Sequence, residues 1–443
     1  MSGRHRQYSI TTYSKQMTDI HDIAGAALFG VQAMSVYKPN LSEEQMQVFE
    51  AVKRGENVHL TGEAGTGKSH VVKELAKAFG RRMAITASTG IAAVNIGGVT
   101  IHSWTGLGKN SDATQLILDS IASNQYVRER INAVEFLVIE EVSMISSNML
   151  DAVDDVLCYV KGNDAAFGGL KVILVGDPLQ LPPVKGNFYF ESDSYKLGEF
   201  KQIKLTENHR QGEDTDLAMH LNRLRVGEVP QDTFEYFMKR VDVEDPNPEV
   251  KPVCLYSTNR MADRSNMAEL KEIEGETHLY EANDTGNKFQ VAFLDKNCVA
   301  QAELILKEGA QVMLLKNLDL KRKLCNGSVG TVVKCYKDSV LVKFPHLSES
   351  VLITVDVWEV KENGLTVAKR EQVPLRLAWA ITIHKSQGMT LDKVYCRMDK
   401  LFAPGQGYVA ISRVRSYEGL YLNCFEREGI ITDKKAVKFY ESF

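Results

Sequence analysis

An α/β chain with two parallel sheets, the first carrying a phosphate loop and the second interrupted by a small antiparallel β-barrel, is the fold class the 443-residue sequence predicts. Three observations lead there. Apolar strand runs alternate with helical segments through the first half, the pattern of a doubly wound parallel sheet. The segment Gly62-Glu63-Ala64-Gly65-Thr66-Gly67-Lys68-Ser69 satisfies G-x-x-x-x-G-K-[ST] between the strand run Val58-His59-Leu60 and the helical Val71-Val72-Lys73-Glu74-Leu75. Between about Cys325 and Pro374, short β runs broken by turns such as Lys337-Asp338 and Asn363-Gly364 replace that alternation.

Composition narrows the classes. Hydrophobic residues make up 44% and charged residues 25%, ordinary values for a globular chain. No apolar run is long enough to span a bilayer, so no membrane partner is expected. Seven cysteines without a C-x-x-C pair suggest neither a zinc site nor a disulfide framework, and fit an intracellular, reducing compartment. A net charge of −4 excludes a uniformly basic coat but not a local basic groove.

In chain order, residues 1–40 show no clean periodicity and are expected to form an arm or a targeting segment. Leu41-Ser42-Glu43-Glu44-Gln45 reads as a capped helix start, and the Gln45 amide pairs a donor with an acceptor, as reading an adenine edge requires. In the phosphate loop, Gly62, Gly65 and Gly67 let the backbone curl so that N–H groups, including that of Thr66, face phosphate oxygens; Lys68 reaches the terminal phosphates and the Ser69 hydroxyl can hold Mg²⁺. After a strand at 82–87, Ser88-Thr89-Gly90 opens a helix able to hold another phosphate. Thr100-Ile101-His102-Ser103-Trp104 interleaves polar groups with one large aromatic, which a strand core would equally accept. Phe136-Leu137-Val138-Ile139 ends in Glu140-Glu141, two carboxylates at a strand end beside a phosphate loop, one suited to the Mg²⁺ shell and one to the attacking water. Lys171 to Val175 runs into Gly176-Asp177-Pro178-Leu179-Gln180, where Gln180 can sense the γ-phosphate.

The order of these blocks, with 205–211, 377–394 and 408–413 after them, resembles a superfamily-one DNA helicase of the PIF type, a relative of the RecD-like group. The resemblance covers about 41–425. It implies two RecA-like domains, at 41–210 and 211–443, the first with a small strand-separating wedge near 110–131 and the second with the inserted β-barrel at about 325–374. Its cofactors are ATP and Mg²⁺, and its partners are single-stranded and tailed duplex DNA, unwound 5′→3′ by a chain monomeric when free. By the resemblance, Gln45 reads adenine, Lys68 and Ser69 bind phosphate and Mg²⁺, Glu141 activates water, and Gln180, Arg210 and Arg413 reach the γ-phosphate. Guanidinium groups are what charge spreading over a transferred phosphoryl group calls for. The segment 216–227 resembles the family's signature helix; without the resemblance, Arg223 and Arg225 read as a solvated basic face. One departure stands out: Glu140 occupies a position where the family usually has Asp, which questions the strength of hydrolysis and keeps an ATP-switched DNA clamp open beside the helicase and an RNA-directed translocase.

In the second half, 253–257 reads as a strand, 259–273 as a helix and 375–383 as a strand that delivers Thr382, His384, Lys385 and Ser386 to a loop, groups suited to phosphate-backbone contact. The resemblance assigns this block to single-stranded DNA and Gln387 and Gly388 to coupling with ATP. Thr89, Gly90, Thr100, His102 and Trp104 are expected on the same DNA path.

Overall fold

Strands buried on both faces read as unbroken apolar runs, and a parallel sheet buries both faces. In the computed structural model, β1 (Val58–Gly62), β2 (Met83–Ala87), β3 (Val99–Thr100), β4 (Phe136–Glu140), β5 (Lys171–Val175) and β6 (Lys201–Leu205) form one sheet ordered β3-β2-β4-β5-β1-β6. Every pairing in it is parallel, and β1 and β4 are buried at each position. The structure describes residues 37–443 apart from 109–111, 208–213, 247–248, 320 and 363–364. Residues 1–36 of the arm expected at 1–40 and the expected γ-phosphate arginine, Arg210, lie outside the described residues, as does Asn110.

Leaving β1, the chain crosses to β2 while β6 pairs on the other edge of β1, so the loop after β1 opens where the strand order reverses, the usual ligand position in such sheets. The helix Lys68–Phe79 follows that loop and turns Val71, Val72, Leu75 and Phe79 inward. The expected wedge consists, where described, of the helices Gln115–Ser123 and Gln125–Asn132. They bury Leu118, Ile121, Val127 and Ile131 against the core of the first sheet and leave Leu116 exposed.

A second parallel sheet joins Ala380–Thr382, Val253–Tyr256, Val394–Cys396 and Leu420–Leu422 in that order. Its core takes in Leu217, Leu221 and Leu224 from the helix Thr215–Val226, and also Ala64 and Leu181 from the first sheet's loops. The two sheets therefore share apolar packing beside the phosphate loop.

The antiparallel insert is larger than the expected 325–374. A five-stranded sheet runs Val351–Thr354, Ser339–Lys343, Val329–Cys335, Gln311–Leu314, Leu375–Leu377. Asp356–Glu362 and Leu365–Gln372 form a hairpin that pairs with Asn283–Thr285, and Glu303–Leu306 pairs with His278–Glu281. The early strands are short and mostly solvent-facing, with only Tyr280 buried in His278–Glu281, so they lack the apolar signal of the later ones. Arg370, fully buried, locks the hairpin by bonds to Asp284 and Asp295 at 2.5 Å and to the Ala300 carbonyl at 3.0 Å.

Candidate active site

The loop after β1 is shaped by glycine. Gly65 and Gly67 take φ of 97° and 83°, values that side chains rarely adopt. A Cβ at Gly62 would sit 2.7 Å from the Leu205 carbonyl oxygen and 2.7 Å from Thr66 Oγ1. Gly67 caps the helix Lys68–Phe79 without a side-chain acceptor, so its first N–H groups remain available to an anion. Lys68 folds back and donates from Nζ to the Gly62 and Glu63 carbonyls, each at 2.8 Å. Burial holds the Lys68 ammonium below its ordinary pKa, opposed by the charges of Asp177 and Glu141.

Ser69 Oγ donates to Glu140 Oε1, joining the loop to the end of β4. The other carboxylate oxygen of Glu140 is buried and has no hydrogen-bond partner. Burial pushes the Glu140 carboxyl up to about 7, with Glu141 adding to the rise and Ser69 opposing it. A hydroxyl touching a carboxylate that keeps one oxygen orphaned is a donor set that fits a hard divalent cation. The longer side chain at 140 thus reaches Ser69 from the strand end. Glu141 stands in the left-handed region at φ 53°, an unusual backbone for a side-chain-bearing residue. Burial raises its carboxyl, and the neighbouring Lys68 and Arg413 oppose that.

After β5, Asp177 is fully buried and anchors the loop that carries Gln180. It accepts from the Leu179 N–H at 3.0 Å and from Gln180 Nε2 at 3.3 Å. Arg225, itself 2% exposed, grips it with two bonds, Nε to Oδ2 at 2.9 Å and Nη2 to Oδ1 at 2.7 Å. Burial alone would raise the Asp177 carboxyl, and Arg225 reverses this, leaving it below its ordinary pKa. The solvated basic face expected for this helix is therefore corrected: only Arg223 meets the surface, paired with Asp232, because the helix turns Arg225 toward a buried carboxylate. Asp177 and Arg225 are the functional residues that sequence reasoning left unassigned; their only signal was a charged residue at a strand end and another among apolar helix positions.

From the helix Gln406–Ile411 and the turn after it, packed in the second sheet's core, come Tyr408, whose hydroxyl accepts from the Ala64 N–H at 3.3 Å, and Arg413. Arg413 is 1% exposed, is bonded to the Val409 carbonyl at 2.8 Å and to Ser412 Oγ at 2.9 Å, and is lowered in pKa by burial. A cleft of about 310 Å³ brings Lys68, Ser69, Glu140, Glu141, Gln180 and Arg413 together, with Gly388 on its rim. Gln45 lies outside this cleft wall. Its Oε1 accepts from the Ser42 N–H and its Nε2 donates to the Thr66 carbonyl at 3.4 Å, so the amide braces the phosphate loop.

A larger cleft of about 660 Å³ continues from Ser69 and Glu140 past Thr89, His384, Gln387 and Trp358. Several expected DNA contacts are not on it. Trp104 is 1% exposed and packs with Ile101, Leu107 and Ile131 in the first core, a correction that follows from the size of its apolar ring. Gly90 is buried, and a Cβ there would meet Asn297 Oδ1 at 2.0 Å. Thr382 and Ser386 are buried and serve their own turn: Thr382 Oγ1 accepts from the Lys385 N–H at 3.2 Å, and Ser386 Oγ donates to the Ile383 carbonyl at 2.8 Å. Thr89 and Thr100 cap the helices Gly90–Asn95 and Ile101–Thr105. His102, His384 and Lys385 are half-buried, and burial lowers the pKa of each.

Comparison with known proteins agrees with this geometry. Residues 40–230 match the model of the PIF1-like helicase family, and residues 292–335 match that of the DNA helicase Pif1 2B domain, inside the antiparallel insert. An ATP-dependent DNA helicase PIF1 of Xenopus laevis is 35% identical over 90% of this chain, and the chain spans 64% of that relative's length. An ATP-dependent DNA helicase Pif1 of Bdellovibrio bacteriovorus is 34% identical over 93% of this chain and 94% of its own. The crystal structure of Pif1 helicase from Candida albicans superposes with a TM-score of 0.71 at 34% identity, over 91% of this chain and 99% of that one. Bacteroides Pif1 in complex with ADP-AlF4 superposes with a TM-score of 0.80 at 29% identity, covering 91% and 96%. With a phosphate loop, paired carboxylates and a buried arginine converging across two parallel sheets, and with a relative of its own length at this identity, the chain belongs to the PIF1-like helicase family.

Proposed function

We propose that this chain is an ATP-dependent DNA helicase that moves 5′→3′ along single-stranded DNA and unwinds duplex by hydrolysing ATP. The observation that carries the reading is the convergence of Lys68, Glu141 and Arg413 from both sheets on one cleft. Glycine-framed N–H groups and Lys68 would bind the phosphates, Glu141 would orient and deprotonate the attacking water, and Arg413 would offset charge on the transferred phosphoryl group. Mg²⁺, when bound through Ser69 and Glu140, would neutralise charge on the β- and γ-phosphates. Gln180 would sense the γ-phosphate from its seat on Asp177. Because Arg413 and Tyr408 come from the segment packed on the second sheet and the loop from the first, ATP would draw the sheets together and product release would part them, moving the strand held along the larger cleft.

Relatives support the substrate: a solved Bacteroides Pif1 is bound to single-stranded DNA, and another holds ADP-AlF3 and ssDNA. We infer a monomer in the free state and a reducing compartment, the latter supported by seven free cysteines. Strand displacement with 5′-tailed and 3′-tailed duplexes, alongside ATP turnover with DNA or RNA oligonucleotides, tests the reading. Displacement confined to 5′-tailed DNA is expected. Turnover without displacement on either tail would leave an ATP-switched clamp, and stimulation by RNA alone would redirect the substrate.

A further inference from the structure

The loop that carries Gln180, the proposed γ-phosphate sensor, is braced from behind by a contact that no step of hydrolysis touches. The Arg225 guanidinium carbon, while gripping Asp177, lies 3.9 Å from the centroid of the Tyr440 ring. Lys204 Nζ lies 4.0 Å from the same centroid. Tyr440 ends the helix Lys434–Tyr440, which follows the second sheet in sequence yet packs on the first. Phe439 stacks on Phe190 with centroids 4.0 Å apart, Lys435 pairs with Glu191 at 2.7 Å, and Tyr440 joins Leu179 and Phe188 in an apolar cluster. Leu179 belongs to the sensor loop itself, so the helix reaches that loop both directly and through Arg225.

A guanidinium against an aromatic face is fixed in plane, and the attraction strengthens when water is excluded, as at this buried arginine. The plane matters, because two bonds to one carboxylate form only when the fork faces it.

We propose that Tyr440 is a positioning residue for ATP turnover: its ring holds the Arg225 guanidinium in the plane that grips Asp177, and Asp177 in turn seats Gln180 toward the cleft. Tyr440 acts through Arg225 and Asp177 and does not contact nucleotide. The ring is what counts, so phenylalanine should serve and an aliphatic residue should not. The inference rests on the ATP-hydrolysis reading above, and its test includes a measurement that needs no activity.

Tyr440→Leu and Tyr440→Phe are compared in the full chain by amide hydrogen exchange and by steady-state ATP turnover with single-stranded DNA. The Leu179 N–H, bonded to Asp177, reports on the seat directly. In Tyr440→Leu its exchange should quicken and kcat should fall, each by about tenfold, with KM for ATP held within about twofold and β4 amides unchanged. Tyr440→Phe should match wild type. Unchanged Leu179 exchange in Tyr440→Leu, an even rise of exchange through the first sheet, or an equal loss in Tyr440→Phe would each overturn the proposal. Arg225→Lys, which keeps the charge but not the planar fork, should reproduce the Leu179 and kcat effects, and decides the case if Tyr440→Leu does not fold; wild-type values there would sink it. A wild-type chain without ATP turnover counts against the proposed function alone, leaving the exchange measurement to judge Tyr440.

Discussion

In the smaller cleft, Lys68, Ser69, Glu140, Glu141, Gln180 and Arg413 meet from four separate segments of the chain. Most hydroxyls expected to touch DNA behave in the opposite way. Thr89, Thr100, Thr382 and Ser386 spend their oxygens on nearby N–H or C=O groups, and Trp104 fills the core. The difference teaches that a short polar side chain beside a helix start or tight turn is claimed first by the local backbone, whose orphan groups are covalently close. Glu140, at the end of β4, escapes that competition and meets Ser69 across 71 residues of sequence. The proposed contact with a nucleic-acid strand would then fall to side chains such as the half-buried His384 and Lys385, and to backbone N–H groups.

The largest effects should separate the two faces. Arg413→Ala is expected to lower kcat by about 10³–10⁵, and Lys68→Ala by about 10²–10³, while single-stranded DNA affinity stays near wild type. Turnover and DNA binding measured on one preparation check this; a matching collapse of DNA affinity would merge the faces. Trp104→Ala should cost about 3–5 kcal/mol of stability, as for other buried aromatic truncations, yet leave DNA affinity of the folded protein unchanged. Urea unfolding with DNA titration below the transition decides it, and weakened DNA binding at full stability would return Trp104 to the DNA path.

A pH experiment sharpens the contrast between two histidines. His59, on β1, is fully buried; Tyr195 Oη lies 2.9 Å from its Nδ1 and Tyr189 Oη 3.0 Å from its Nε2, and burial drives its pKa down to about 3. Its folded pKa lies below the unfolded value of about 6.5, so the unfolded chain binds the extra proton. Stability is therefore whole above about pH 6.5 and lost as pH falls toward 3, by up to about 1.4 kcal/mol per unit from this group. Denaturant midpoints at pH 7 and pH 5 should differ more in wild type than in His59→Gln, and equal differences would show that His59 carries none of the slope. His384 lines the larger cleft and is only half-buried, so His384→Ala should instead weaken DNA binding with little change in that slope. The smallest effect is expected from the capping hydroxyls: Thr89→Ala and Thr100→Ala should each cost about 1 kcal/mol of stability. Serine replacements should restore it, and DNA affinity tracking the alanine change but not the serine one would still place these threonines in the cap.

Short-range features of the chain were legible from residue order alone. The phosphate loop, its flanking strand and helix, and the carboxylate pair after Phe136–Ile139 are local, because glycine dihedrals and strand ends are set within a few residues. The parallel sheets followed from alternating runs, and the insert from its turns. Tertiary structure alone decided the rest. Asp177 meets Arg225 across 48 residues of sequence, and Ala64 meets Tyr408 across 344, distances over which no periodicity carries information. Whether Trp104 faced a core or a nucleic-acid strand turned on the helices Gln115–Ser123 and Gln125–Asn132 closing over it. An aromatic ring carries the same residue label in either place, and only the surfaces packed around it determine which one it occupies.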